Sequence, residues 1–125
     1  PCQVVLGQQD FEAVELNRGE YFPCNRSFNM PYGVTTAGDW LIVADTANSR
    51  LIGWHRSQLD WNALHDSPAT GVLGQETYRQ KGENRSYGSA LKDSFCWPYG
   101  QQTCGNVVAI ADSGNNRVLL WQLEG

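Results

Sequence analysis

Residues 31–54 read PYGVTTAGDWLIVADTANSRLIGW, and residues 98–121 read PYGQQTCGNVVAIADSGNNRVLLW. Laid over each other without a gap, they pair Pro31 with Pro98, Gly33 with Gly100, Asp45 with Asp112, Asn48 with Asn115, Arg50 with Arg117 and Trp54 with Trp121, at a constant offset of about 67 residues. The frame also holds upstream, where Val5-Leu6-Gly7-Gln8 recurs as Val72-Leu73-Gly74-Gln75. A register kept this long marks an internal repeat, so the chain is read as copies of one small unit.

Each copy carries the signals of a short antiparallel meander. Pro-Tyr-Gly opens a strand, since proline donates no ladder hydrogen bond and is tolerated at a strand start. A strand follows at Val34 to Ala37. Gly38-Asp39 and Gly105-Asn106 supply hairpin turns, because Gly, Asn and Asp accept positive φ. Trp40 to Ala44 and Val107 to Ala111 are apolar at consecutive positions, the pattern of strands buried on both faces. A second turn, Asp45-Thr46-Ala47-Asn48 or Asp112-Ser113-Gly114-Asn115, leads to third strands at Arg50 to Trp54 and Arg117 to Trp121. The Val-Leu-Gly-Gln element has the length of a fourth. The fold class expected is all-β.

The pattern Pro-x-Gly, apolar run, Ala-Asp, Asn-x-Arg, apolar, Trp resembles the NHL repeat, a blade of a β-propeller. The Val-Leu-Gly-Gln element followed three residues later by Phe11 or Tyr78 is similar to a bacterial branch of that family. The resemblance covers nearly the whole chain and departs from the family in its long blades. It implies two four-stranded blades of a ring of about six. On this reading residues 1–32 hold an outer strand and a long insertion, 33–74 the first blade, 75–99 a second insertion and 100–125 three strands of the second blade. The first blade takes strands at about 33–37, 40–45, 50–55 and 70–74. Val4 to Gly7 is then a fourth strand without a blade of its own. Apolar blade flanks need neighbours on both sides, so the ring is expected to be completed either by identical chains, about three in all, or by the rest of a longer polypeptide.

Length and composition bound less. The chain has 125 residues and a formal net charge of −4, which disfavours a phosphate backbone as partner. No apolar run reaches the length of a membrane-spanning helix. The sequence opens on Pro1, as expected of a processed or excised chain, and the compartment stays open. Cys2, Cys24, Cys96 and Cys104 stand outside the repeat pattern and form no Cys-x-x-Cys pair, so a zinc site is not expected. Free thiols and disulfides both remain open, the latter weakly allowing an extracytoplasmic site. Asn25-Arg26-Ser27 and Asn84-Arg85-Ser86 match the glycosylation acceptor pattern.

Strand alternation places the turns 46–49 and 113–116 on one face with the insertions 9–30 and 76–97. Loops held by a rigid framework carry function. Candidate contacts there are Arg18, Tyr21, Arg26, Tyr78, Arg79, Arg85 and Tyr87, since aromatics beside arginines suit a protein-binding surface. Phe28, Phe95 and Trp97 read instead as covers of the blade edge.

The repeated Asp and Arg read as framework rather than catalyst: a carboxylate ending a strand holds its turn and pairs with the arginine five residues on. Trp54 and Trp121 are expected to pack between blades. Ser57-Gln58-Leu59-Asp60 resembles a capping box before a short helix with Leu59 and Ala63 on one side, and Pro68 would end it. His55 and His65 lack further ligands nearby, so packed or solvated imidazoles are expected over a metal pair.

The expected axial strands offer Thr35, Thr36, Gln101, Gln102 and Thr103, without a general base, and no cofactor-binding motif is present. The function expected is a non-catalytic scaffold or binding module. The alternatives are blades of a lyase- or hydrolase-type propeller whose catalytic residues lie elsewhere, and an RNA-binding propeller. Against RNA, the first insertion sets Asp10, Glu12, Glu15 and Glu20 against Arg18 and Arg26. The second is close to balanced, and neither is a cationic stripe.

Overall fold

A computed structural model of the chain describes residues 1–58 and 64–123. Its strands are β1 (Pro31–Ala37), β2 (Trp40–Asp45), β3 (Arg50–His55), β4 (Gly71–Leu73), β5 (Pro98–Cys104), β6 (Val107–Asp112) and β7 (Arg117–Gln122). They form a four-stranded sheet in the order β1-β2-β3-β4 and a three-stranded sheet in the order β5-β6-β7, antiparallel throughout. The chain is all-β, and each sheet is one copy of the repeat.

The first strands begin two residues earlier than the 33–74 and 100–125 boundaries suggest. Pro31 lies opposite Asp45 and Pro98 opposite Asp112, and regular pairing resumes at Val34 and Gln101 after an irregularity. Proline fits at such a strand start because the ladder there asks it for no N–H. The turns after β2 and β6 are single 3-10 turns, Thr46–Asn48 and Ser113–Asn115, each closed by a left-handed residue, Ser49 or Asn116.

Register decides which side chains share a face. In the first sheet Ile42 and Leu51 face one way; Val43, opposite Ile52, and Leu41, opposite Trp54, face the other. The first face packs on the second sheet, where Ile42, Leu51 and Ala37 meet Val108, Ile110 and Phe95, with Trp40, Leu73, Leu119 and Trp121 around them. The opposite face packs Val43, Ile52 and Trp54 under Leu64, Ala69, Val4, Leu6 and Phe28. Trp121 therefore sits between sheets as expected. Trp54 is covered by the chain's own connections, its Nε1 donating to the Ser67 carbonyl at 3.1 Å.

The two sheets also share hydrogen bonds along β1 and β5. Gly38 N–H donates to Gly105 O at 3.0 Å, and Thr103 Oγ1 donates to Thr36 O at 2.6 Å. The Gln101 amide donates to the carbonyls of Gly33 and Ile42, both at 3.1 Å.

Val4 to Gly7 matches β4 by repeat but forms no strand among the described residues. It is pinned beside the first sheet instead: Val5 N–H donates to His65 Nδ1 at 3.2 Å, and Asp66 N–H donates to Val5 O at 2.9 Å. Arg56–Gln58 forms a 3-10 turn, while the helix read from Leu59 to Ala63 lies outside the described residues. No helix among the described residues is long and apolar enough to cross a membrane.

Candidate binding surface

The repeated Asp, Asn and Arg form one polar network per sheet. In the first, Asp45 accepts from Arg50 Nε at 2.7 Å, from Asn48 Nδ2 at 2.8 Å and from Asn29 N–H at 2.7 Å. Arg50 spends its other nitrogens on the carbonyls of Tyr78 at 2.7 Å and of Cys24 and Ser27 at 3.0 Å each. Asp45 and Arg50 are both fully buried, and burial pushes the Asp45 carboxyl above its ordinary range against the pull of Arg50. The second sheet repeats the network: Asp112 accepts from Arg117 Nε, Asn115 Nδ2 and Cys96 N–H, each at 2.8 Å. In both copies the three accepted bonds tie the carboxylate to its own turn, to the arginine five residues on and to the insertion.

The insertions belong to the repeat as well, which the alignment of the strands alone misses. Asn17 and Asn48 exchange side-chain amide bonds at 2.9 and 3.2 Å, and Asn84 and Asn115 do the same at 2.7 and 3.0 Å. Asn17-Arg18 and Asn84-Arg85 both take left-handed backbone, with φ of 45° and 54° in one copy and 51° and 56° in the other. Ser27 and Ser94 are buried mates that brace these loops. The sequence signal was present: Asn-Arg, Ser and Phe recur in the insertions at the same offset as the strands. Because both insertions sit over the turns after β2 and β6, they share one face, as strand alternation requires.

Between the two insertions lies an open cleft of about 320 Å³, lined by Tyr21 and Phe22 from the first and by Arg79, Gln80, Lys81 and Arg85 from the second. Tyr21 and Phe22 meet edge to face at 4.8 Å and are 70% and 50% exposed. Lys81 Nζ sits 3.6 Å above the Tyr21 ring, a cation–π contact that ties the two loops together. Arg85 bonds Glu76 and, at 3.0 Å, Asp93, while Arg79 is exposed. The floor is Gln75, whose amide donates to the carbonyls of Asn48, Ser49 and Gly82.

Of the residues singled out from sequence, Tyr21, Arg79 and Arg85 come together in this cleft. Tyr87 is exposed nearby, 5.9 Å from the Arg85 guanidinium. Arg26 is exposed elsewhere on the first insertion. Two residues are occupied structurally: Arg18 is paired with Asp66 at 2.7 Å, and Tyr78 packs against the core with its carbonyl on Arg50, burial raising its hydroxyl pKa. Phe22, Gln80 and Lys81 were missed; Lys81 becomes a cleft residue only because the fold brings Tyr21 beneath it.

Phe95 is buried and Phe28 half-buried in the two clusters, and Trp97 Nε1 donates to Glu83 at 3.0 Å. Cys2, Cys24, Cys96 and Cys104 are free, and burial with the nearby Glu83 and Asp112 pushes the Cys96 thiol up. Among the described residues no three His, Cys, Asp or Glu gather to hold a metal. His65 anchors the N-terminal segment, and His55 Nδ1 accepts from Ser57 N–H at 3.2 Å. The Asn84 amide is committed to Asn115. Compared with known proteins, the chain matches no protein-family model and no curated protein sequence.

Proposed function

We propose that this chain is a segment of an NHL-like β-propeller, a non-catalytic module that uses the cleft between its two insertions to bind an acidic, aromatic-bearing segment of a protein. One observation carries the binding reading: Tyr21 and Phe22 stand exposed beside Arg79, Lys81 and Arg85 on loops locked to the sheets by the Asn17–Asn48 and Asn84–Asn115 pairs. Rigid aromatics flanked by cations are the composition of interface hot spots, and fixed loops limit the entropy lost on binding. The propeller reading is supported by repeat sheets packed face to face with their first strands side by side. Further blades, from identical chains or from the same polypeptide, complete the ring.

Fluorescence anisotropy with labelled ten-residue peptides tests the cleft. A peptide of Asp, Glu and Tyr is expected to bind, and its Lys-substituted counterpart is not. Arg79→Ala with Lys81→Ala should weaken binding about tenfold, equivalent to about 1.4 kcal/mol. Equal affinity for both peptides, or tighter binding of a single-stranded RNA oligonucleotide, would overturn the assignment.

A further inference from the structure

The floor of the cleft between the insertions holds an acceptor that the fold leaves unused. Gln75 is only 7% exposed, and its Nε2 donates to the carbonyls of Asn48 at 3.3 Å, Ser49 at 3.1 Å and Gly82 at 2.9 Å. These bonds fix the orientation of the amide, because a flipped amide would press its oxygen against three carbonyl oxygens. Gln75 Oε1 therefore points away from them, without a hydrogen-bond partner among the described residues. It is not sealed in: among the described residues the unpartnered side-chain atom shut off from solvent is Gln101 Oε1, whereas Gln75 lines the cleft.

The rim has the opposite polarity. Gln80 Oε1 accepts from the N–H groups of Glu76 at 2.9 Å and Thr77 at 3.0 Å, which leaves its Nε2 as a donor. Arg79 is exposed, its guanidinium without a partner among the described residues, and Lys81 lies over the Tyr21 ring. Arg85 is spent on Glu76 and Asp93, so Arg79 and Lys81 carry the charge that a ligand meets. A ligand carboxylate is held by these donors at the rim; at the floor it would face the Gln75 oxygen and be repelled. The floor takes a neutral donor instead, beside the exposed rings of Tyr21 and Phe22. Tyrosine and tryptophan are the side chains that join an aromatic ring to a neutral donor hydrogen. The phenol carries its hydrogen at the tip of the ring, where it reaches a floor, and indole carries its hydrogen on an edge.

We propose that Gln75 makes the cleft selective for a tyrosine flanked by acidic residues: the phenol donates to Gln75 Oε1, its ring lies against Tyr21 and Phe22, and the flanking carboxylates meet Arg79 and Lys81. The inference deepens the peptide-binding reading above and rests on it. One amide then has two tasks. Its nitrogen ties the second insertion to the first sheet, and its oxygen, held still by those bonds, reads the ligand. A side chain that covers the oxygen without donating leaves a desolvated acceptor unpaired, which is the source of the discrimination.

Fluorescence anisotropy on the unmodified chain tests this with labelled peptides identical but for one central residue between Asp and Glu: tyrosine, phenylalanine or O-methyltyrosine. The tyrosine peptide is expected to bind about tenfold more tightly than the other two, which keep the ring and lose the donor hydrogen. Changing the ligand avoids a Gln75 variant, which would also cut the tie between the second insertion and the first sheet. In NMR correlation spectra at saturation, the Gln75 side-chain amide should shift further with the tyrosine peptide than with the phenylalanine peptide, a response that a purely structural amide would not give. Equal affinities for the tyrosine and phenylalanine peptides overturn the inference and leave the acidic-peptide reading standing. Binding of neither peptide overturns both.

Discussion

Asp45 and Asp112 hold the same position in two copies of one network, and removing each separates the value of the motif from the value of its burial. Asp45→Ala strands Arg50, whose side chain is fully buried, and leaves the Asn48 amide and the Asn29 N–H short of an acceptor. Breaking one side of a buried ion pair costs about 3–5 kcal/mol, and the two orphaned donors add to it. Asp112→Ala releases the equivalent donors, but Arg117 is 27% exposed and water can reach it. That loss is expected near 2 kcal/mol, a value typical of a partly hydrated charge-assisted contact. Urea unfolding in dilute protein should therefore place the Asp45→Ala midpoint about 1 M below that of Asp112→Ala, given slopes of about 1–3 kcal/mol/M. Equal losses in dilute protein would refute the claim that burial by the adjoining repeat sets the strength of the pair.

Gly33→Ala should destabilise the fold by about 1–3 kcal/mol through collision with the Tyr99 carbonyl, while Gly100→Ala should be near neutral in dilute protein; thermal unfolding of both variants checks this, and equal shifts would refute it. Cys96, whose pKa is raised by burial and by Glu83 and Asp112, holds less thiolate than an ordinary cysteine at pH 8, so its alkylation should lag that of exposed Cys2 and Cys104. Because the pKa moves upward, the Cys96 rate should still climb about tenfold per pH unit between about pH 8 and 9, and mass spectrometry showing a plateau in that range would contradict it.

The strands were legible in the sequence because their apolar runs and turn residues repeat. All four strands of the first sheet and three of the second follow from Pro31-to-Trp54, its copy and Val72-Leu73. The Asp45–Arg50 pairing was legible for the same reason. The cleft was only partly so: Tyr21, Arg79 and Arg85 stood out as loop aromatics and arginines, but no local spacing links Tyr21 to Lys81 across the intervening sheet. Arg18 and Tyr78 are engaged away from the cleft for the converse reason. Their composition suits a contact surface, and only the tertiary fold reveals that Asp66 and the Arg50 guanidinium claim them.

The insertions look like ornament in the sequence, yet they are the means by which one repeat closes on itself and on its neighbour. Each carries an asparagine that pairs with the turn asparagine of its own sheet, and carbonyls, at Cys24 and Ser27 or at Leu91 and Ser94, that receive the arginine. The second insertion also sends Gln75 and the Tyr78 carbonyl across to the first sheet. A loop so tied cannot drift relative to the strands, because moving it leaves buried amide and guanidinium groups without partners, each at about 1–3 kcal/mol. The spacing of the two insertions, and with it the width of the cleft between Tyr21 and Lys81, is therefore set by the packing of one sheet on the next. The cleft and the packing of one sheet on the next are two consequences of the same repeated hydrogen bonds.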